Sequence, residues 1–469
     1  MKTQRIVVLG GGIAGLASAL LLARDGHDVT IIEREPFVAG TPLESVAWPR
    51  KGVAHFHQPH AFMPRGRLEL RTQFPDVFES LVTNGATDVD MRRKLPGTAQ
   101  ASDADLQYFA VRRPLIEWAF RDALARQSNL TVRANETVTG ICVQDGAMSA
   151  VLTDVGSIGA DVVVDALGRR TPTDKWLAEA NVESTPLESS DCGVIYFSRY
   201  YQQRDGFSLP DGPWLLGPRG DLGYMSFTTF PSDNRTFAAL LAVPPGQPTS
   251  RLFKEPAAFD KAISLIPSVA QWVDPAGVDP ITDVMTMAGL RNSFRELSPS
   301  TPTGFVAVGD ASFHSDPVIA LGLSFALVQA VQLTSALRSH SRVRDALQGF
   351  REATRPLMRE RYEFATSLDE QRLRMWRGES VNFASPEGDY ALFTLVAGGA
   401  TAMMNEEIFR IVNRRNGMLD SLSVLDGDDA MQQRIGELFR QASLTPRAPS
   451  GPGMDELVSE VEAVVATTR

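Results

Sequence analysis

The stretch Arg5-Ile6-Val7-Val8-Leu9-Gly10-Gly11-Gly12-Ile13-Ala14-Gly15-Leu16-Ala17-Ser18-Ala19 decides the fold of this chain. A short apolar run reads as a buried parallel strand and breaks at a Gly-x-Gly-x-x-Gly turn formed by Gly10, Gly12 and Gly15. An apolar helix follows over residues 16–23, and a second strand over 28–32 stops at Glu33. Gly10 permits the tight turn, Gly12 lets the backbone approach a pyrophosphate, and Gly15 lets the helix pack against the strand. The helix N-terminus offers unpaired N–H groups and the positive end of a dipole to phosphate. Glu33 lies eighteen residues beyond Gly15, where an acid accepts hydrogen bonds from an adenosine ribose. Lys2 and Arg5 ahead of an apolar run also suit a secretory leader, but three consecutive glycines interrupt the run and a full strand follows.

Size and composition set the outer bounds. The 469 residues suffice for two or three domains, and 43% hydrophobic with 22% charged residues is ordinary for a soluble globular protein. A net charge of −10 opposes nucleic-acid binding, whose footprint is a basic face. No apolar run is long enough to span a bilayer, so no integral membrane segment is expected. Cys142 and Cys192 form no C-x-x-C pair, so neither a redox disulfide nor a metal site is indicated. A reducing cytoplasm is the expected compartment.

Beyond Glu33 runs an irregular segment containing Trp48-Pro49-Arg50-Lys51-Gly52-Val53-Ala54-His55-Phe56-His57-Gln58-Pro59-His60, with three of the six histidines. Its length marks it as functional rather than a plain connection. The pattern turns helical over 65–81 and polar and loop-like over 86–104. Val111-Arg112-Arg113-Pro114 opens another helix, with Pro114 suited to its first turn. Short strands follow over 130–132, 137–143, 149–152 and 160–165, the last running into Val164-Asp165-Ala166-Leu167-Gly168. From 185 to 298 the chain alternates and is aromatic-rich, with a hairpin around Pro231-Ser232-Asp233-Asn234. Gly304-Phe305-Val306-Ala307-Val308-Gly309-Asp310 reads as a return to the first domain, followed by a helix over 322–338. The remainder is largely helical, with a polar loop over 446–453 and an acidic tail expected to fray.

The glycine turn, Val164-Asp165-Ala166-Leu167-Gly168, and Gly309-Asp310 with Pro317 seven residues later together resemble the flavoprotein monooxygenase superfamily of the para-hydroxybenzoate-hydroxylase type. The resemblance covers roughly residues 1–340, and its Gly-Asp motif belongs to FAD. It implies an α/β fold: a Rossmann-like FAD-binding domain with a parallel sheet (1–80, 101–184 and 299–340), an inserted β-rich substrate domain (81–100 and 185–298), and a C-terminal helical region (341–469). It further implies FAD contacts from Gly10, Gly12, Ile13, Ala14, Gly15, Glu33, Arg34, Arg113, Val138, Gly309, Asp310, Pro317, Gly322 and Leu323. Asp310, delivered to the C-terminal end of a strand, can accept from a ribityl or ribose hydroxyl. The helix beginning at Gly322 would aim free N–H groups at the flavin pyrimidine edge.

Within the superfamily, the Asp-Pro-Val-x-x-x-Gly of 316–322 is similar to flavin-dependent halogenases, and the segment around Arg50 to bacterial polyketide epoxidases and hydroxylases. There are departures. Phe313 stands where the aromatic hydroxylases carry His, with His314 one residue on, and Asp165-Ala166 replaces their Asp-Gly. The latter leaves open whether NADH or NADPH reduces the flavin directly or through a separate flavin reductase. The halogenase Trp-x-Trp-x-Ile-Pro signature is absent.

The resemblance implies a monooxygenase that hydroxylates or epoxidises a small apolar metabolite with molecular oxygen, through a flavin C4a-hydroperoxide. The rivals are a flavin-dependent halogenase, a reductase of double bonds on the same fold, and a non-catalytic flavin-binding protein. Residues that could handle protons or halide are Lys51, His57, His60, His314 and Asp316. Each also has a plainer use, as a surface, packing or turn-capping residue. Tyr200, Tyr201, Trp214, Tyr224 and Phe227 are the candidate lining of an apolar substrate pocket, or else simple strand core.

Overall fold

The computed structural model describes residues 2–37, 40–183, 187–444 and 450–468. At its centre lies a five-stranded parallel sheet in the order Phe305–Ala307, Val162–Asp165, Arg5–Leu9, Asp28–Glu33, Leu130–Ala134. Arg5–Leu9, Val162–Asp165 and Phe305–Ala307 are buried on both faces, which explains their apolar runs, while the edge strand Leu130–Ala134 is partly exposed. Ile6 and Val8 pack into one core with the helices Ile13–Arg24, Arg113–Ala125 and Gly322–Ser339. Val7 and Leu9 point the other way, into a core with the three-stranded sheet Val138–Gln144, Ala147–Thr153 and Ser157–Gly159.

A second, antiparallel sheet is built from Arg219–Asp221, Ser226–Pro231, Thr236–Val243, Ile195–Gln203 and Val278–Pro280, with Met285–Met287 also on Ile195–Gln203. The expected hairpin is present, and Asn234 and Arg235 turn it with φ of 52° and 58°. One face of this sheet carries Phe197, Tyr201, Phe227, Phe237 and Leu241 against the helices Pro256–Ser264 and Met454–Thr468. The other face looks toward the parallel-sheet unit. The long helix Val343–Trp376 runs past the strand Arg291–Phe294 and along Gly322–Ser339.

Three local expectations are revised. The helix over 65–81 is two helices, Pro64–Gln73 and Pro75–Thr83, because Pro75 can start a helix but disfavours helical backbone at Phe74. The loop over 86–104 contains the strand Thr87–Asp90, paired with Gln107–Ala110. Its acids disguised it, and Asp88 is held in a two-bond fork by Arg67 at 2.6 Å per contact. The acidic tail is anchored, since Leu457, Val461 and Val465 at four-residue spacing form a stripe buried in the second sheet's core. Residues 445–449 of the polar loop lie outside the described residues.

Leu457 is fully buried under the second sheet. Leu457→Ala is expected to cost about 2–5 kcal/mol, read as a loss of thermal or denaturant stability. A frayed tail would show no change.

Candidate functional site

The glycine turn closes the C-terminal edge of the parallel sheet. Gly10 has φ +97°, and a Cβ there would lie 2.8 Å from the Ala166 carbonyl oxygen. A Cβ on Gly15 would sit 2.0 Å from the Gly10 carbonyl oxygen, so helix and strand touch backbone to backbone. Gly12 is different. Its added Cβ would meet only Arg113 Nη2, at 3.7 Å, so this position opens outward beneath a guanidinium. Gly309 joins the same corner, as its added Cβ would reach 2.6 Å from the Cβ of Ala14. Two motifs three hundred residues apart therefore meet at one sheet edge.

Glu33 is buried, and its Oε2 accepts from the Gly11 N–H at 2.8 Å while Oε1 accepts from the Glu35 N–H at 3.0 Å. Arg50 lies behind it, donating to Glu33 at 3.3 Å, Glu35 at 2.7 Å, Glu117 at 3.1 Å and the Gly11 carbonyl at 3.2 Å. Glu117 also accepts from Arg113 Nε at 3.0 Å. Arg50 thus locks the 50–60 segment beneath the glycine turn, a use its sequence position did not indicate. Arg34 lies over Gly52, and half-buried Val138 packs on the sheet's second core.

Arg113 Nη1 donates to His55 Nε2 at 2.6 Å, which places the remaining ring proton of neutral His55 on Nδ1. The His60 ring is 5.7 Å from that of His55, and His60 Nδ1 donates to the Gln58 carbonyl at 2.7 Å. Burial, reinforced by the Arg113 charge, pushes His60 down to about 3 and His55 well below its ordinary value. Both rings are uncharged at neutral pH, so His60 serves as a hydrogen-bonding group rather than the near-neutral proton relay expected from sequence. His314 is near enough to add to the depression of His55. Its Nδ1 donates to the Arg291 carbonyl at 2.7 Å, and its Nε2 faces Asp310 at 4.0 Å. His57 and Lys51 are exposed on the loop surface. His55, the ring bonded to Arg113, carries no sequence signal beyond its place among the three histidines of the 48–60 stretch.

Asp165 is consumed internally, accepting from the Leu167 N–H at 3.0 Å, Thr171 Oγ at 2.7 Å and the Thr173 hydroxyl. Asp316 is also fully engaged. It is buried, caps the short turn Pro317–Ile319 by accepting from the Val318 N–H at 3.1 Å, and accepts from Arg372 Nη2 at 2.8 Å. After Ala320, at φ +52°, the helix Gly322–Ser339 begins without a side-chain cap. Nothing lies within 4 Å of an added Gly322 Cβ, so this N-terminus opens into space.

Strand Ile195–Gln203 decides by its two-residue alternation which side chains face the parallel-sheet unit. Tyr196 donates to Asp316 at 2.5 Å, Ser198 Oγ to Gln58 Oε1 at 2.7 Å, and Tyr200 to the Gln58 carbonyl at 3.5 Å. Phe197 and Tyr201 point to the opposite core, where the Tyr201 hydroxyl donates to Asp260 at 2.7 Å. Of the five expected pocket aromatics, only Tyr200 faces the parallel-sheet unit. Tyr201, Tyr224 and Phe227 belong to the helix-covered core and Trp214 packs against it, because consecutive strand residues cannot share a face. Register places Leu240, Thr228 and Arg219 beside Ser198, and Ala238 and Phe230 beside Tyr200.

Residues 5–118 match the family described as FAD dependent oxidoreductase. Protein Rv3254 of Mycobacterium tuberculosis is 25% identical over 364 residues, covering 71% of this chain and 73% of that protein. The solved flavin-dependent brominase Bmp2 matches with a TM-score of 0.59 at 17% identity, over 94% of this chain and 98% of its own. PqsL of P. aeruginosa, solved with 2-aminobenzoylacetate, matches with a TM-score of 0.55 at 14% identity, over 80% of this chain and 99% of its own. Residues 5–118 thus match an FAD-dependent oxidoreductase domain, and the chain shares its fold with these solved flavin enzymes. No described helix is long and apolar enough to cross a membrane.

The 2.0 Å approach at Gly15 leaves no room for a methyl group. Gly15→Ala is expected to displace the turn, lowering both Tm and FAD affinity in a fluorescence-quench titration. His60 stays neutral in the fold down to about 3, yet takes up a proton near 6.5 in an unfolded chain. Stability should therefore fall as pH drops through 6.5 toward 3, and His60→Gln should flatten that part of a Tm–pH profile.

Proposed function

We propose that this protein is an FAD-dependent monooxygenase that hydroxylates or epoxidises an apolar small molecule with molecular oxygen. One observation carries the reading: the glycine turn, Glu33, Arg113 and Gly309-Asp310 share one corner, at which Gly12 opens outward, as does Gly322 at the start of the later helix. That pattern suits FAD, because a Cβ at either open position would enter the space a dinucleotide needs.

The backbone of Gly12, Ile13 and Ala14 would hold the pyrophosphate at a helix N-terminus, with Arg113 above it. Glu33 keeps one lone pair, on Oε1, for the adenosine ribose, and Arg34 and Val138 flank that end. Asp310 would accept from a ribityl hydroxyl, and Pro317, Gly322 and Leu323 frame the flavin end. The bound flavin supplies the redox chemistry, and the chain supplies orientation and exclusion of water. His55 and His60 would present neutral hydrogen-bonding groups between the flavin site and the second sheet, with His314 beside them facing Asp310. Tyr200, Leu240, Thr228 and Phe230 form the proposed substrate wall. Asp165-Ala166 favours electrons from NADH or NADPH delivered by a separate reductase over direct reduction. Two free cysteines agree with a cytoplasmic setting.

Halogenation is the second reading, favoured by a brominase whose fold extends over 94% of this chain. Exposed Lys51 would be its halide carrier. Bromide-dependent product from reduced enzyme and oxygen would establish it, and oxygen-independent turnover would instead point to a double-bond reductase.

The test is the visible spectrum of purified protein with FAD, followed anaerobically as NADH or NADPH is added. Bleaching only when a flavin reductase is present is the expected result, and direct bleaching would mean a self-sufficient enzyme. Gly12→Asp should abolish FAD binding, because the carboxylate would crowd and repel the pyrophosphate. A fully yellow Gly12→Asp protein would falsify the cofactor assignment.

A further inference from the structure

Behind the turn that leads into the helix Gly322–Ser339 lies a buried polar cluster drawn from four segments. Arg372, on the long helix Val343–Trp376, donates through Nη2 to Asp316 at 2.8 Å, to Asp369 at 2.8 Å and to the Cys192 carbonyl at 3.3 Å. Asn292 ties both carboxylates together: its Oδ1 accepts from the Asp316 N–H at 2.7 Å and its Nδ2 donates to Asp369 at 2.7 Å. Tyr196 donates to Asp316 from the second sheet, and the Arg372 guanidinium lies 5.1 Å from the Trp376 ring. Asp369, Arg372 and Trp376 fall on one helix face at three- and four-residue spacing. Asp316, Asp369 and Arg372 are each at most 4% exposed.

We propose that Arg372 is the positioning residue of the flavin site: it fixes the 316–322 turn, and with it the open N-terminus of Gly322–Ser339, through Asp316. The cluster grips Asp316 by its backbone N–H and both carboxylate oxygens, and Asp316 in turn caps the residues just before Ala320 and Gly322. A shift of that carboxylate would swing the first free amides of the helix away from the flavin pyrimidine edge. The C-terminal helical region thereby becomes part of the flavin site without touching it.

Two carboxylates and one guanidinium cannot all be charged here without a surplus anion. Burial works to raise Asp316, but the Arg372 charge and the hydrogen bonds from its neighbours hold it below the usual carboxylate range. Burial and the Asp316 charge instead push Asp369 up to about 9, so it carries the proton and shares a hydrogen bond with Asp316. Cys192 and Tyr196 are both pushed up by burial and by Asp316, and remain neutral. Asp221, which accepts from Trp376 at 2.9 Å, is the other acid near Arg372. The cluster is balanced at neutral pH and gains a second buried anion above about 9.

The inference rests on the flavin reading above, and FAD titration with measurement of the bound flavin's midpoint potential tests it. Arg372→Met and Asp316→Asn should each weaken FAD binding about tenfold or more, since each strands a buried charge or removes its partner. Bound flavin in them should show a more negative potential, because the helix N-terminus no longer stabilises the reduced ring. Tyr196→Phe, which keeps shape and removes one hydrogen bond, should fold and shift the potential the same way by less. Wild-type affinity should fall above about pH 9, and Asp369→Asn should remove that alkaline loss. Unchanged potentials in folded Arg372→Met and Tyr196→Phe would overturn the inference while leaving FAD binding by the wild type, and the proposed function, intact. Failure of the wild type to bind FAD would overturn both.

Discussion

The constraint on which the rest depends is backbone contact at the C-terminal edge of the parallel sheet. Gly15 meets the Gly10 carbonyl, Gly10 meets the Ala166 carbonyl, and Gly309 meets Ala14, each too closely for a side chain. These crossings bring the ends of three parallel strands and the start of one helix into a single corner. Close packing is what generates a site here: backbone N–H groups reach the surface only where side chains have been removed.

Around that corner the polar groups are spent in a definite order. Arg50 joins Glu33, Glu35 and Glu117, Glu117 holds Arg113, and Arg113 holds His55. Each of these charges has an opposite neighbour, as low dielectric surroundings require. Gln58 then carries the 50–60 segment to Ser198 and Tyr200 on the second sheet. Arg112 does the same beside it, clasping Asp233 in the hairpin turn with contacts of 2.6 and 3.0 Å. The second sheet is thus fastened to the first unit by polar contacts, these and Tyr196–Asp316 among them, while its own core is closed by Pro256–Ser264 and, from far along the chain, Met454–Thr468.

Much of the framework was legible in order of sequence. Strands buried on both faces are continuous apolar runs, and Arg5–Leu9, Val162–Asp165 and Phe305–Ala307 read as such. The glycine turn announced its chemistry because positive φ and close approach leave glycine as the only choice. The strand Thr87–Asp90 was hidden because its acids find partners only in the fold, Asp88 in Arg67, 21 residues away, and Asp90 in Arg92. The aromatics of the second sheet could be named but not aimed: Tyr200 and Tyr201 look alike in sequence, and only strand phase separates them. Arg372 and Asp369 gave no signal at all, being ordinary charged residues of a long helix.

The sequence by itself determined the doubly covered parallel sheet, the dinucleotide turn and the Gly-Asp motif, since each is set by local sterics and by apolar runs of fixed period. Only the tertiary structure decided which histidine meets Arg113, which face of Ile195–Gln203 looks toward the site, and how the helix Val343–Trp376 braces Asp316. Those outcomes depend on long-range packing and on burial, which sets the charge state of His60 and Asp369, and neither quantity is a property of a residue's near neighbours in the chain.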